Sequence, residues 1–281
     1  TNRGWVSAEE IKDVAKYQSP KNYKLRNSFK KIEEEDVLVD LFELLHPICD
    51  RLAADNKHVW LNRTDGKRLY DNAIIVNRYI RIDSELKYLF GRYLGDGSIT
   101  NNKTLNQENY IFQIVFNGET EIEDYIKCKN IINSHFGNIC TDNSNKEQNT
   151  AVIKVNSSII GEFFNFYCGK KENKHFPDQF KTDINIAIGL LDSDGSVSKT
   201  GGIRICLKLD TLMKDLYNCL INNNLSIPKY TNEINNKNYK INKLEISKGA
   251  SINLIPLMSK KYSDDRMLKK KKKTKQYYEI T

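Results

Sequence analysis

The chain has 281 residues, 39% hydrophobic and 28% charged, with 15 Tyr, 11 Phe and 2 Trp. That length suits one large domain or two ordinary ones with a real core. The aromatic content excludes a disordered chain, which lacks the residues that offset ordering entropy. The longest apolar stretches, such as 186–191, are far too short to cross a bilayer, and the opening Thr1-Asn2-Arg3-Gly4-Trp5 has no apolar core of a secretory signal. A soluble, globular, intracellular protein with no membrane partner is expected.

The net charge of +8 is unevenly spread. Residues 266–281 hold Arg266, the lysine run 269–273 and Lys275 against Glu279, a net +6, which leaves only +2 for the rest. The excess therefore marks a basic tail, suited equally to nuclear import, phosphate contact or plain solvation. It does not by itself specify a nucleic-acid partner. Cys49, Cys128, Cys140, Cys168, Cys206 and Cys219 form no C-x-x-C pair, and the histidines are scattered at 46, 58, 135 and 175. A zinc site built from local pairs has no support in this spacing, and reduced thiols are expected.

In chain order, residues 5–17 have a helical pattern with Ser7 as N-cap and Glu10 at capping-box spacing. Residues 33–54 place Val37, Leu38, Leu41, Leu44, Leu45, Ile48 and Leu52 at threes and fours, predicting an amphipathic helix interrupted near Pro47. Thr64-Asp65-Gly66 reads as a turn and residues 73–82 as a strand.

From residue 85 the chain repeats itself. Helical stretches at 85–95 and 184–193 run into Gly95-Asp96-Gly97-Ser98 and Ser193-Asp194-Gly195-Ser196. Strand candidates follow at 110–116 and 202–207, then helices at 121–136 and 212–220, then strands at 151–155 and 243–246. Each copy closes with a short helix and a basic pair, Lys170-Lys171 in one and Lys260-Lys261 in the other. The two Asp-Gly-Ser signals lie 98 residues apart, too far for a solenoid, so a whole unit is duplicated.

The duplicated helices carry chemistry at their ends. Gly91 and Gly95 share one helix face, and Gly189 and Ser193 share the matching one. Glycine weakens a helix interior by about 1 kcal/mol relative to alanine, so its use there points to close helix packing. Packed on these faces, the helices bring Asp96 and Asp194 together at the negative ends of two dipoles, an arrangement that a divalent cation relieves. Hard oxygen ligands with room for water and phosphate suit magnesium, and an acid from each side of a seam suits phosphodiester hydrolysis. A single Asp-Gly after a helix is usually only a C-cap or turn; two in repeated context point to function. Asp192-Ser193-Asp194-Gly195 does not fit an EF-hand loop, which needs glycine at position six and glutamate at twelve. Neither a Walker A nor a dinucleotide fingerprint is present.

The stretches Leu89-Phe90-Gly91-Arg92-Tyr93-Leu94-Gly95-Asp96-Gly97 and Ala187-Ile188-Gly189-Leu190-Leu191-Asp192-Ser193-Asp194-Gly195 resemble the two motifs of the LAGLIDADG homing endonucleases. In the first, Leu94 stands where the family usually has an acid, a form familiar in intein-encoded members. The resemblance spans residues 85 to about 265 and implies an α+β fold of two pseudo-symmetric αββαββα halves plus an N-terminal extension. The implied divisions are 1–82 (extension), 83–180 (first half), 181–265 (second half) and 266–281 (basic tail).

It further implies a monomeric, Mg2+- or Mn2+-dependent endonuclease that cleaves a long asymmetric double-stranded DNA site. Asp96 and Asp194 are then the metal-binding acids, with the carbonyls of Gly95 and Ser193 completing the shell. Lys174, in Lys174-His175-Phe176-Pro177, and Lys261, in Ser259-Lys260-Lys261-Tyr262, resemble the family's catalytic lysines. The internal repeat pairs Lys261 with Lys171 instead, so Lys171 is an alternative to Lys174. Gln113, Lys154, Arg204 and Lys208 lie in strand candidates and have the long polar side chains that match base edges.

Residues 4–11 faintly resemble a segment of intein splicing domains. With Thr1 at the start and no Asn at the end, no protein splicing is expected, and the segment is read as a splicing-domain remnant or an added arm for DNA. The alternative function is the same fold acting without cleavage, as an intron RNA maturase or a DNA-binding regulator.

Overall fold

The computed structural model describes residues 31–62, 74–104, 107–142, 149–197, 202–225, 228–234 and 240–259. The helix expected at 5–17, the turn at Thr64-Asp65-Gly66, Lys261 and the basic tail lie outside these residues.

The single helix expected over 33–54 is instead four short elements. Strand β1 (Val37–Asp40) is followed by helix α1 (Leu41–Leu45), a 3-10 turn at His46–Ile48 that holds Pro47, and strand β2 (Leu52–Ala54). Asp40 breaks the pattern, because its carboxylate accepts from the backbone N–H of Phe42 and Glu43 and so starts a new helix. Leu41 and Leu45 reach the core from α1, but Leu52 reaches it from β2.

The strand expected at 73–82 is likewise divided. β4 (Val76–Asn77) joins β2 and β3 (His58–Leu61) in a three-stranded sheet, whereas β5 (Tyr79–Ile82) pairs with β1. The break falls at Arg78, whose guanidinium clasps Asp40 at 2.7–3.1 Å and donates to the Asp55 carbonyl at 3.0 Å.

The rest is α+β and is built twice. The first unit runs α2 (Ser84–Asp96), β6 (Gly97–Thr104), β7 (Gln107–Asn117), α3 (Ile122–Phe136), β8 (Thr141–Asp142), β9 (Thr150–Val155) and α4 (Ser158–Cys168). The second runs α5 (Ile184–Asp194), β10 (Gly195–Val197), β11 (Ile203–Leu207), α6 (Asp210–Asn222), β12 (Lys229–Ile234), β13 (Lys240–Ile246) and α7 (Lys248–Leu254). Both are αββαββα, and their antiparallel sheets share one strand order, β6-β7-β9-β8 and β10-β11-β13-β12.

The strands legible in the sequence are the two central strands of each sheet. Central strands must present a continuous apolar stripe to the helices behind them, as the alternate burial of β9 and β11 shows. The edge strands β6, β8, β10 and β12 carry mostly polar side chains and gave no such signal.

The most extensive contact between elements is that of α2 with α5. Each begins on an aspartate cap. Asp83 accepts from the N–H of Glu85 and Leu86 at 3.0 Å, and Asp183 accepts from Asn185 at 2.8 Å. At this end the buried Lys87 ammonium lies 3.2 Å from the Asp183 carboxylate and donates to the Glu34 carbonyl at 2.6 Å. The segment before β1 thus ties the two helices together: the Glu34 N–H bonds Asp183, and Ile32 bonds Asn223. Behind α2, Phe90, Tyr93, Phe112, Phe163 and Phe164 form an aromatic cluster against β7 and α4. Among the described residues no helix is long and apolar enough to cross a membrane.

Candidate metal centre and nucleic-acid interface

The α2–α5 seam is closed by glycine. A Cβ on Gly91 would stand 2.1 Å from the Ile186 carbonyl oxygen, and one on Gly189 would stand 2.1 Å from that of Tyr88. The two backbones are therefore in direct contact, as the small-residue faces predict. One turn further on, a Cβ on Gly95 would fall 1.8 Å from the Ser193 hydroxyl oxygen and 2.7 Å from a carboxylate oxygen of Asp194. The ends of the helices touch, and Asp96 and Asp194 are the last helical residue of each.

Beside this junction is a cavity of about 250 Å3, lined from the first half by Gly95, Ser98, Lys171 and Lys174 and from the second by Asp194 and Lys208. Five residues singled out from the sequence (Gly95, Lys171, Lys174, Asp194 and Lys208) thus share one space. Asp96 is not part of this lining. Its carboxylate, 31% exposed, lies on the side of Arg92.

Lys174 is buried, and its ammonium donates to three carbonyls: Tyr93 at 2.9 Å, Leu94 at 3.0 Å and Gly97 at 2.8 Å. The Leu94 carbonyl and that of Tyr93, which also accepts from the Gly97 N–H, lie in the last turn of α2, and the Gly97 carbonyl lies just beyond it, so the lysine caps the helix that carries Asp96. Burial pushes the ammonium down to about 8, against the opposing pull of Asp194 and Asp96. The Tyr93 hydroxyl donates to the Gly169 carbonyl at 2.7 Å, tying the segment before Lys174 to the same helix.

Behind the acids is a buried polar cluster that the sequence reading missed. The fully buried Arg92 guanidinium lies 3.7 Å from Asp96 and 3.6 Å from Glu121, over the Phe116 ring. Asp192 accepts from the Tyr88 hydroxyl across the seam at 3.0 Å and from the Ser259 N–H at 2.9 Å. Burial pushes the Asp192 carboxyl up to about 6; the Ser259 N–H works against this, and the nearby Asp124 adds to it. The available signal was a cation, Arg92, and an acid, Asp192, set among the apolar residues that precede each Asp-Gly.

The sheets set the remaining candidates in rows on their outer faces. Ser98, Gln113, Lys154 and Thr141 lie side by side across the first sheet, and Ser196, Arg204, Glu245 and Lys229 across the second. Gln113 donates to the Ser98 hydroxyl at 3.0 Å. Arg204 is paired with Glu245 at 2.8 Å, and Lys243 lies 3.3 Å from the same carboxylate. Lys208 lies one residue beyond β11 and faces the cavity rather than this row.

Two carboxylates, with main-chain carbonyls beside them, are hard oxygen donors suited to Mg2+ or Mn2+. Among the described residues no group of three or more His, Cys, Asp or Glu side chains converges as a closed site. Remaining ligands would then come from backbone, water or substrate oxygens, which is how Mg2+ is commonly held.

No family model and no curated protein matches this chain. Solved structures of LAGLIDADG homing endonucleases are similar to it. I-DmoI, in complex with DNA and Mn, is 20% identical over 61% of this chain and 94% of its own, with a TM-score of 0.47. The LAGLIDADG homing endonuclease I-GzeII, in complex with its DNA target, is 16% identical over 69% of this chain and 91% of its own, with a TM-score of 0.46. The LAGLIDADG meganuclease I-AabMI, bound to uncleaved DNA, is 12% identical over the same shares, with a TM-score of 0.44.

Proposed function

We propose that this protein is a monomeric, site-specific double-strand DNA endonuclease of the LAGLIDADG type, acting inside the cell where DNA is held. The observation that carries this reading is the glycine-closed pair α2–α5, which ends in one acid from each half, Asp96 and Asp194. On this reading the N-terminal extension, the two halves and the basic tail divide at 82, 180 and 265.

Asp96 and Asp194, with the carbonyls of Gly95 and Ser193, would hold Mg2+ or Mn2+. The bound metal would supply an activated water and neutralise charge developing on the phosphate. Lys174 keeps the end of α2 in place through its three carbonyl bonds and adds positive charge beside the acids, where a phosphate must come. Lys261 is the proposed counterpart in the second half. The outer faces of the two sheets would follow the major groove, with Gln113, Lys154 and Arg204 at base edges and Lys208 toward the backbone near the scissile phosphates. Because the two rows share only their serines, Ser98 and Ser196, and differ at the other three positions, the target would be long and asymmetric. The basic tail would add salt-sensitive, sequence-neutral affinity.

Selection of cleaved molecules from a randomised DNA library in Mg2+ tests the proposal. One asymmetric target should emerge, and chelation should abolish its recovery. No cleaved product in Mg2+ or Mn2+, together with preferential binding of a structured RNA, would replace this reading with a non-cleaving maturase.

A further inference from the structure

The halves are alike in fold but not in the charge behind their acids. The offset of 98 residues that relates Asp96 to Asp194 relates Arg92 to Leu190 and Leu94 to Asp192. Arg92 is fully buried, and among the described residues none of its three guanidinium nitrogens finds a hydrogen-bond partner. Its charge is instead met by carboxylates at ion-pair distance, Asp96 at 3.7 Å one turn along the helix and Glu121 at 3.6 Å at the head of α3. The Phe116 ring supports the guanidinium plane, with 4.9 Å between its central carbon and the ring centroid. A buried cation with loose, competing anionic partners acts on both at long range, because water does not screen it. At the matching place behind Asp194 stands the buried Leu190 side chain; the cation that faces Asp194 is Lys174, whose ammonium is already bonded to three carbonyls, unlike the Arg92 guanidinium.

We propose that Arg92 is a positioning residue that holds the Asp96 carboxylate and weakens its grip on a divalent cation, so that the two acid positions are unequal metal sites. This rests on the reading of Asp96 and Asp194 as metal ligands. Arg92 repels a metal arriving at Asp96 and competes with it for the same oxygen. Glu121 moderates the effect by drawing the guanidinium away.

Mn2+ titration of the purified full chain, followed by electron paramagnetic resonance, tests this without any need for cleavage. Asp194→Asn, which leaves Asp96 as the ligand, should bind Mn2+ about tenfold or more weakly than Asp96→Asn, which leaves Asp194. Adding Arg92→Met to Asp194→Asn should recover most of that loss, whereas Arg92→Lys, which keeps the charge, should not. Glu121→Gln in the same background should weaken binding further, and it guards against Arg92→Met failing to fold. Equal affinity in the two single variants, or no response to Arg92→Met or Glu121→Gln in folded protein, overturns the proposal. A wild type that binds Mn2+ but cuts no DNA defeats only the nuclease reading; one that binds no Mn2+, either alone or with DNA present, defeats both.

Discussion

Gly91→Ala is the sharpest probe of the seam. The added methyl carbon would lie 2.1 Å from the Ile186 carbonyl oxygen, 2.7 Å from the Leu190 nitrogen and 2.9 Å from the Gly189 Cα. All three are backbone atoms, so no side chain can rotate away, and restoring ordinary contact requires the helices to part by more than about 1 Å. Overpacking of this kind costs about 3 kcal/mol, at the upper end of its usual range, while alanine returns about 1 kcal/mol of helix propensity. A net loss of about 2 kcal/mol in urea denaturation is expected. Because parting the seam also displaces Asp96 from Asp194, cleavage of a selected target should fall by about 100-fold, beyond what the stability loss explains. Gly249→Ala is the control: nothing lies within 4 Å of its would-be Cβ, so up to about 1 kcal/mol should be gained. A Gly91→Ala protein as stable and as active as the wild type would refute the account of the seam.

Two further outcomes follow from buried charges. Asp192 titrates at about 6 when folded against 3.8 as its ordinary value, so its charged form is disfavoured by folding. Stability from this group is complete below pH 3.8 and is lost as pH rises through about 6, a change of about 3 kcal/mol. Asp192→Asn lacks this slope, so its stability relative to wild type should climb by about that amount between pH 4 and 7. A constant difference across denaturation curves in that range would show that the carboxyl does not behave this way. Lys174→Met removes the donor from three buried carbonyls at the end of α2 and should cost about 2–4 kcal/mol in chemical denaturation. Lys174→Arg should not restore it, since a flat guanidinium cannot meet three carbonyls that converge on one point.

How much of this was readable in the sequence depended on burial. The duplication, the motif helices and the central strands all carry apolar periodicity, because each must turn one face to a core. The glycines at 91 and 189 were informative because nothing else fits where two backbones touch. The edge strands escaped because their sequences are mostly polar, so that a buried residue such as Ile99 in β6 recurs with no period to detect. Residues 33–54 misled for the opposite reason: leucines spaced as on one helix belong to several elements, separated by the Asp40 cap and Pro47. At the site, Asp96, Asp194 and Lys174 stood out by motif and position. The partnership of Arg204 with Glu245 depends on strand register across β11 and β13, and that of Asp192 with Tyr88 on the helix crossing; neither is written in local spacing.

In the proposed function, one acid from each half acts on DNA through a divalent metal at the α2–α5 junction. The most direct measurement is Mg2+-dependent cleavage of a selected target by wild type, Asp96→Asn and Asp194→Asn, with folding of each checked by circular dichroism. Each variant should be folded, bind the target and fail to make the double-strand break. Full double-strand cleavage by either variant would contradict the account.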